Sequence, residues 1–155
     1  MTTWNNDDGL LVRFGTSRST VATDGTDAGH SEHVLEVAID SQAPLALTDI
    51  NADRPHLPAN AIITDAFLVA DTAFTGTGTL TVGLGDSAQS AIDANGIDDL
   101  IDVDVALASA GDVVACDGVL VDKTSTIGTS DAWVYATVGG SITAGTATLK
   151  LKYIV

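Results

Sequence analysis

Of the 21 acidic residues in this 155-residue chain, only Glu32 and Glu36 are glutamate; all the others are aspartate. Aspartate is a poor helix-interior residue, because its short carboxylate competes for backbone donors and prefers turns and caps. A chain rich in Asp, Gly and Thr therefore favours strands joined by loops. Six cations leave a formal net charge of −15. A field this negative repels phosphate backbones and anionic membranes, which excludes nucleic acid and membrane surfaces as partners. The cations Arg13, Arg18, Arg54, Lys123, Lys150 and Lys152 are scattered and form no stripe. A neutral or basic protein surface, a divalent cation or a glycan remains compatible with this charge.

The apolar fraction of 45% comes mostly from Ala, Val, Leu and Ile, with 5% aromatic residues, a mix that is globular in spite of the charge. The length suits one domain. Cys116 stands alone, so no intramolecular disulfide staples the fold. Residues 1–8 carry neither the basic nor the apolar region of a signal peptide, and the expected site of synthesis is a cytoplasm. The longest apolar stretch, residues 61–74, is interrupted by Asp65 and Asp71, which excludes a membrane-spanning helix there.

Hydrophobic spacing gives the expected elements. Asp7-Asp8-Gly9 is a turn signal, and Leu10 to Phe14 reads as a short strand. Residues 16–31 read as a long loop, which makes residues 1–31 an N-terminal arm and residues 32–155 the main domain. Leu35, Val37 and Ile39 alternate with Glu36, Ala38 and Asp40 from His33 onwards, the period of a half-buried strand. Leu45 to Ile50 is a weaker candidate. Ile62 to Phe74 and Thr79 to Leu84 read as a hairpin around the turn Thr75-Gly76-Thr77-Gly78. Asp86 to Asp99 reads as a loop. Ile101, Val103, Val105 and Leu107 alternate as in a strand, whereas Leu100, Val103 and Leu107 fit a helix face, which leaves room for one short helix near 98–106. Val113 to Val121, broken near Asp117-Gly118, then Trp133 to Val138 and Thr146 to Ile154 complete the set, the last two separated by Gly139-Gly140 and Ala144-Gly145. Roughly eight strands with turn signals between them predict an all-β fold, a β-sandwich or jelly roll with an N-terminal arm.

Few groups are spaced for chemistry. Ser87 in Gly85-Asp86-Ser87 lacks a downstream histidine to act as base, since His30, His33 and His56 all precede it. His30-Ser31-Glu32-His33 lacks the helical spacing that puts two imidazoles on one face. Asp93, Asn95 and Asp98 offer hard oxygen ligands beside Gly96 and make a weak calcium candidate, without the glutamate that closes an EF-hand. Asp102 and Asp104 fall on one strand face about 7 Å apart, which reads as a solvated face. Gly76-Thr77-Gly78 lacks the Gly-Lys-Ser/Thr of a phosphate loop. No base, nucleophile and orienting group come together, so the chain is expected not to be an enzyme and no cofactor is implied. Trp133 reads as core. Trp4 sits in a polar arm, where an isolated large aromatic either docks on a partner or folds back on its own domain.

Several blocks, in order, resemble the small auxiliary head proteins of tailed phages. They are Asp8-Gly9-Leu10-Leu11-Val12-Arg13-Phe14-Gly15, Leu57-Pro58-Ala59-Asn60-Ala61-Ile62-Ile63, Ala73-Phe74-Thr75-Gly76, Thr79-Leu80-Thr81-Val82-Gly83-Leu84, Ile92-Asp93-Ala94-Asn95-Gly96, and Ala144-Gly145 to Tyr153. The resemblance implies a capsid decoration (cement) protein: a β-sandwich on the outer surface of a mature icosahedral shell, bound to the major capsid protein, often as a homotrimer. Trp4, Leu10, Leu11 and Phe14 of the arm are the candidate capsid contacts, ordering on binding to bridge shell subunits. A head-fibre base or minor tail component fits the same blocks. A carbohydrate-binding sandwich, using Trp133 or Tyr135 with the Asp93 loop and calcium, is the rival from another class.

Overall fold

The computed structural model describes residues 2–5, 11–14, 32–121 and 126–155. The chain divides into two compact units, Met1–Ser31 and Glu32–Val155. In the first, strands β1 (Thr2–Asn5) and β2 (Leu11–Phe14) pair antiparallel, with Trp4 opposite Val12 and Thr2 opposite Phe14. The loop expected over residues 16–31 lies outside the described residues.

The second unit is built on two very long strands. Strand β4 (Ile62–Gly85) and strand β7 (Trp133–Ile154) pair antiparallel along nearly their whole lengths. Around them lie β3 (His33–Asp40), β5 (Ala91–Asp102) and β6 (Val113–Ala115), in the order β3-β7-β4-β5 with β6 also on β4. The register between β4 and β7 slips several times between Ala70 and Gly76. Such shifts are where a ladder bends and twists. The slips divide the sheet into two halves: β3 and β6 flank one end of the long pair, β5 the other.

The all-β expectation holds, and its detail differs. Instead of about eight short strands in two sheets there are seven among the described residues, five of them in one antiparallel sheet. The hairpin expected around Thr75–Gly78 does not form, because these residues lie inside β4 and pair with β7. Likewise Gly139-Gly140 and Ala144-Gly145 lie inside β7, fusing two expected strands. Leu45–Ile50 holds a 3-10 turn at Leu47–Asp49 rather than a strand. The expected loop over Asp86–Asp99 shrinks to a turn before β5, though β5 bulges widely between Asp93 and Asp98. The ambiguous stretch resolves into both readings: β5 runs to Asp102, and one helical turn, α1 (Val103–Ala106), follows.

Alternation decides which faces are buried. In β3, Leu35, Val37 and Ile39 point inward, while Glu36 points outward and its carboxylate lies 3.0 Å from Lys150 Nζ, directly across on β7. Leu149 and Leu151 of β7 are fully buried, and Lys152 reaches Asp65 on β4 at 3.6 Å. Side chains from both halves of the sheet, among them Ile63, Leu68, Leu80, Leu84, Ile97, Leu107 and Leu149, join one hydrophobic core. Each such side chain contributes roughly 1.5–3 kcal/mol by leaving water. Where the register slips, threonines replace lost ladder bonds. Thr146 N–H donates to Thr72 Oγ1 at 2.9 Å, and the hydroxyls of Thr75 and Thr143 pair at 2.9 Å.

Candidate functional site

In the β1–β2 ribbon the register assigns alternate positions to opposite faces. Positions 4 and 14 fall on one face together with 2 and 12, and position 11 falls on the other with 3, 5 and 13. Of the four expected contact residues, Trp4 and Phe14 thus share a face, Leu11 occupies the opposite one, and Leu10 lies outside the described residues.

The aspartate cluster around Gly96 does not converge. Asp93 turns back on its own loop, its Oδ1 accepting the Asn95 N–H at 3.2 Å. Asp98 is buried on the far side of the bulge, where the Cys116 thiol donates to it. Burial first, and then the charge of Asp117, hold the Asp98 carboxyl above its ordinary range. The same burial, with Asp98 beside it, pushes the Cys116 thiol up to about 12. Among the described residues no three His, Cys, Asp or Glu side chains are grouped to hold a metal ion.

Ser87 is exposed in the tight Asp86–Ser90 turn, where Asp86 Oδ1 accepts the N–H groups of Ala88 and Ser90, each at 2.9 Å. The described histidines are engaged elsewhere. His33 stacks on Tyr153 with ring centroids 5.3 Å apart. His56 lies against Trp133 at 4.9 Å, and its Nε2 is 3.7 Å from Asp131. Arg54 Nη2 donates to the Val134 carbonyl at 2.8 Å. These contacts pin the segment before β4 along the start of β7. The sequence offered no cue to them, because Arg54 and Val134 lie 80 residues apart.

Trp133 and Tyr135 are 5% and 7% exposed, so neither can serve as the sugar platform that the carbohydrate reading requires. Here β7 pairs with β4, the Ala136 N–H donates to the Leu45 carbonyl, and Ala132 just before the strand exchanges two backbone bonds with Leu57. Asp102 and Asp104 do meet. The hydrogen bond to Asp104, and then its charge, raise the Asp102 carboxyl above its ordinary range, and both residues are exposed. No helix among the described residues is long and apolar enough to cross a membrane.

Residues 32–155 form one antiparallel sheet hung on two long strands, an all-β domain. Its fold is that of chains found in phage capsids. A chain of the capsid of Ralstonia phage GP4 is 24% identical, with a TM-score of 0.53, over 79% of this chain and 84% of that one. A chain of the cyanophage Pam1 capsid asymmetric unit is 20% identical, with a TM-score of 0.51, over 92% of this chain and 97% of that one. No protein-family model matches the sequence, and no curated protein is similar to it.

Proposed function

We propose that this chain is a structural protein of a phage virion, a decoration protein on the outer surface of the icosahedral shell that stabilises it by protein–protein contact. The carrying observation is the shared fold, which extends over nearly the full length of both chains in the Pam1 comparison. The charge of −15 supports a place on the outside, away from packaged DNA. The separate N-terminal unit, with Trp4 and Phe14 on one face of its ribbon, supports an arm that docks on the major capsid protein. Assembly as a trimer on the shell belongs to the same reading, and many copies with modest individual contacts would stiffen the lattice together. Catalysis, cofactors, nucleic acid and membranes have no part in this role.

Quantitative mass spectrometry of purified particles tests it. The expected copy number is comparable to that of the major shell protein. A few copies per particle would move the chain to the neck, tail or a fibre, and its absence from particles would overturn the proposal.

A further inference from the structure

The end of β5 displays apolar side chains where the fold gives them nothing to cover. Leu80 pairs with Ile101 and Val82 with Asp98, so the single residue Thr81 on β4 faces both Asp99 and Leu100 on β5. This extra residue is a β-bulge, and Leu100 takes it up with a φ of +59°. A bulky residue in the left-handed region is an outlier, since its Cβ crowds the following carbonyl and glycine would sit there at ease. Its own N–H donates a long hydrogen bond to Thr81 Oγ1 at 3.4 Å. Retaining a leucine there places an apolar side chain in water, 60% exposed.

A second apolar side chain follows. The turn of α1 buries Val103 and leaves Val105 outward, 74% exposed, the most exposed of the large apolar residues described. Asp99, Asp102 and Asp104 surround the pair in sequence, all exposed, and no cation pairs with any of them among the described residues. Apolar anchors rimmed by charge are the anatomy of a protein interface rather than of a free surface. Strain held at an exposed side chain points to the same use. A second copy of this chain seated patch to patch is a poor occupant, because it would set Asp99, Asp102 and Asp104 against the same three carboxylates.

We propose that Leu100 and Val105 form a docking knob that inserts into an apolar pocket rimmed by Lys or Arg on the shell protein, with Asp99, Asp102 and Asp104 meeting the cationic rim. This rests on the capsid reading above and adds to the arm a second, charge-steered contact from the main domain.

The test is binding of the full chain to shells assembled from the major capsid protein alone, followed at several salt concentrations. Leu100→Gly removes the anchor and relieves the strained backbone, so its melting temperature should equal or exceed the wild type while shell affinity falls roughly tenfold or more. Leu100→Asn, which also tolerates the left-handed region, should lose affinity likewise. Neutralising Asp102 and Asp104 to Asn should slow association and flatten its salt dependence, with a smaller effect on dissociation. Leu100→Gly binding as tightly as the wild type would overturn the knob and leave the capsid role standing. A change in the oligomeric state of Leu100→Gly without a change in shell affinity would also overturn it, making the patch a contact between copies. Shells left bare by the wild-type protein would remove both readings.

Discussion

The ring of Phe74 on β4 packs flat against Gly145 on β7, at the place where the two long strands slip register. Phe74 is 3% exposed, and Gly145 adopts a φ of +137°. A Cβ at position 145 would fall into the ring, within 2.7 Å of Phe74 Cδ2. Glycine is required there twice over, by the backbone angle and by the ring. Gly145→Ala should therefore destabilise the domain by about 2–4 kcal/mol in chemical denaturation, as overpacking and backbone strain add. Combining it with Phe74→Leu should cost less than the sum of the single changes, because the two residues share one contact. Strict additivity would show that the ring does not set the requirement.

That contact also explains where the sequence misleads. The alternation of His33–Asp40 is legible because Leu35, Val37 and Ile39 face one core and Glu36 faces water, a purely local pattern. Thr75-Gly76-Thr77-Gly78 carries every sign of a turn, yet it pairs with Ala144, Ile142, Ser141 and Gly140 across the sheet. A Cβ on Gly140 would stand 2.7 Å from Gly78 Cα, so these glycines permit two backbones to approach closely. Glycine that ends a strand and glycine that admits a neighbouring strand look alike until the partner is known. Val105 failed to follow its period for a related reason. Strict alternation with Ile101, Val103 and Leu107 would bury it, but the helical turn beginning at Val103 rotates it into solvent. That Trp4 and Phe14 share one face of the ribbon while Leu11 takes the other depends on the register of β1 against β2, which the sequence does not state.

The carboxyl of Asp98 makes stability depend on pH. Burial and the charge of Asp117 raise its folded-state pKa above the ordinary 3.8 of the unfolded chain. Between those two values the folded protein keeps a proton that the unfolded chain releases, so this group's contribution is fully present below 3.8. It is lost as pH rises through the raised folded value. Asp117 itself is exposed, and Asp117→Asn removes its charge while leaving the backbone N–H that bonds Asp98. The variant should melt roughly 1–3 °C higher at pH 7 and equally with the wild type at pH 3. A lower melting temperature at pH 7 would mean that repulsion between the two aspartates is not what raises Asp98.

Cys116 should be chemically silent in the native protein. It is 6% exposed, and its thiol titrates near about 12 because burial and the neighbouring Asp98 disfavour the thiolate. The thiolate is the reactive form, so at pH 8 a soluble disulfide reagent should leave it unmodified until denaturant is added. Labelling in native buffer should then proceed only as fast as the domain opens. Rapid labelling without denaturant would contradict the buried position of Cys116 and its hydrogen bond to Asp98.

The two units should separate cleanly in function. Strands β1 and β2 pair only with each other among the described strands, and an isolated two-stranded hairpin is marginal in water. Among the residues whose burial is described, the hydrophobic core is built from residues 35–151 of the second unit. Deleting residues 1–31 should therefore leave the melting temperature of the main domain within roughly 2–4 °C of the full chain. Shell binding should fall sharply under the same deletion, since it removes Trp4 and Phe14 as anchors. Deleting only residues 1–15 should lose as much binding as the longer deletion, which assigns the effect to the ribbon itself. Unchanged shell binding in both deletions would remove the arm from the contact and leave the main domain as its sole source.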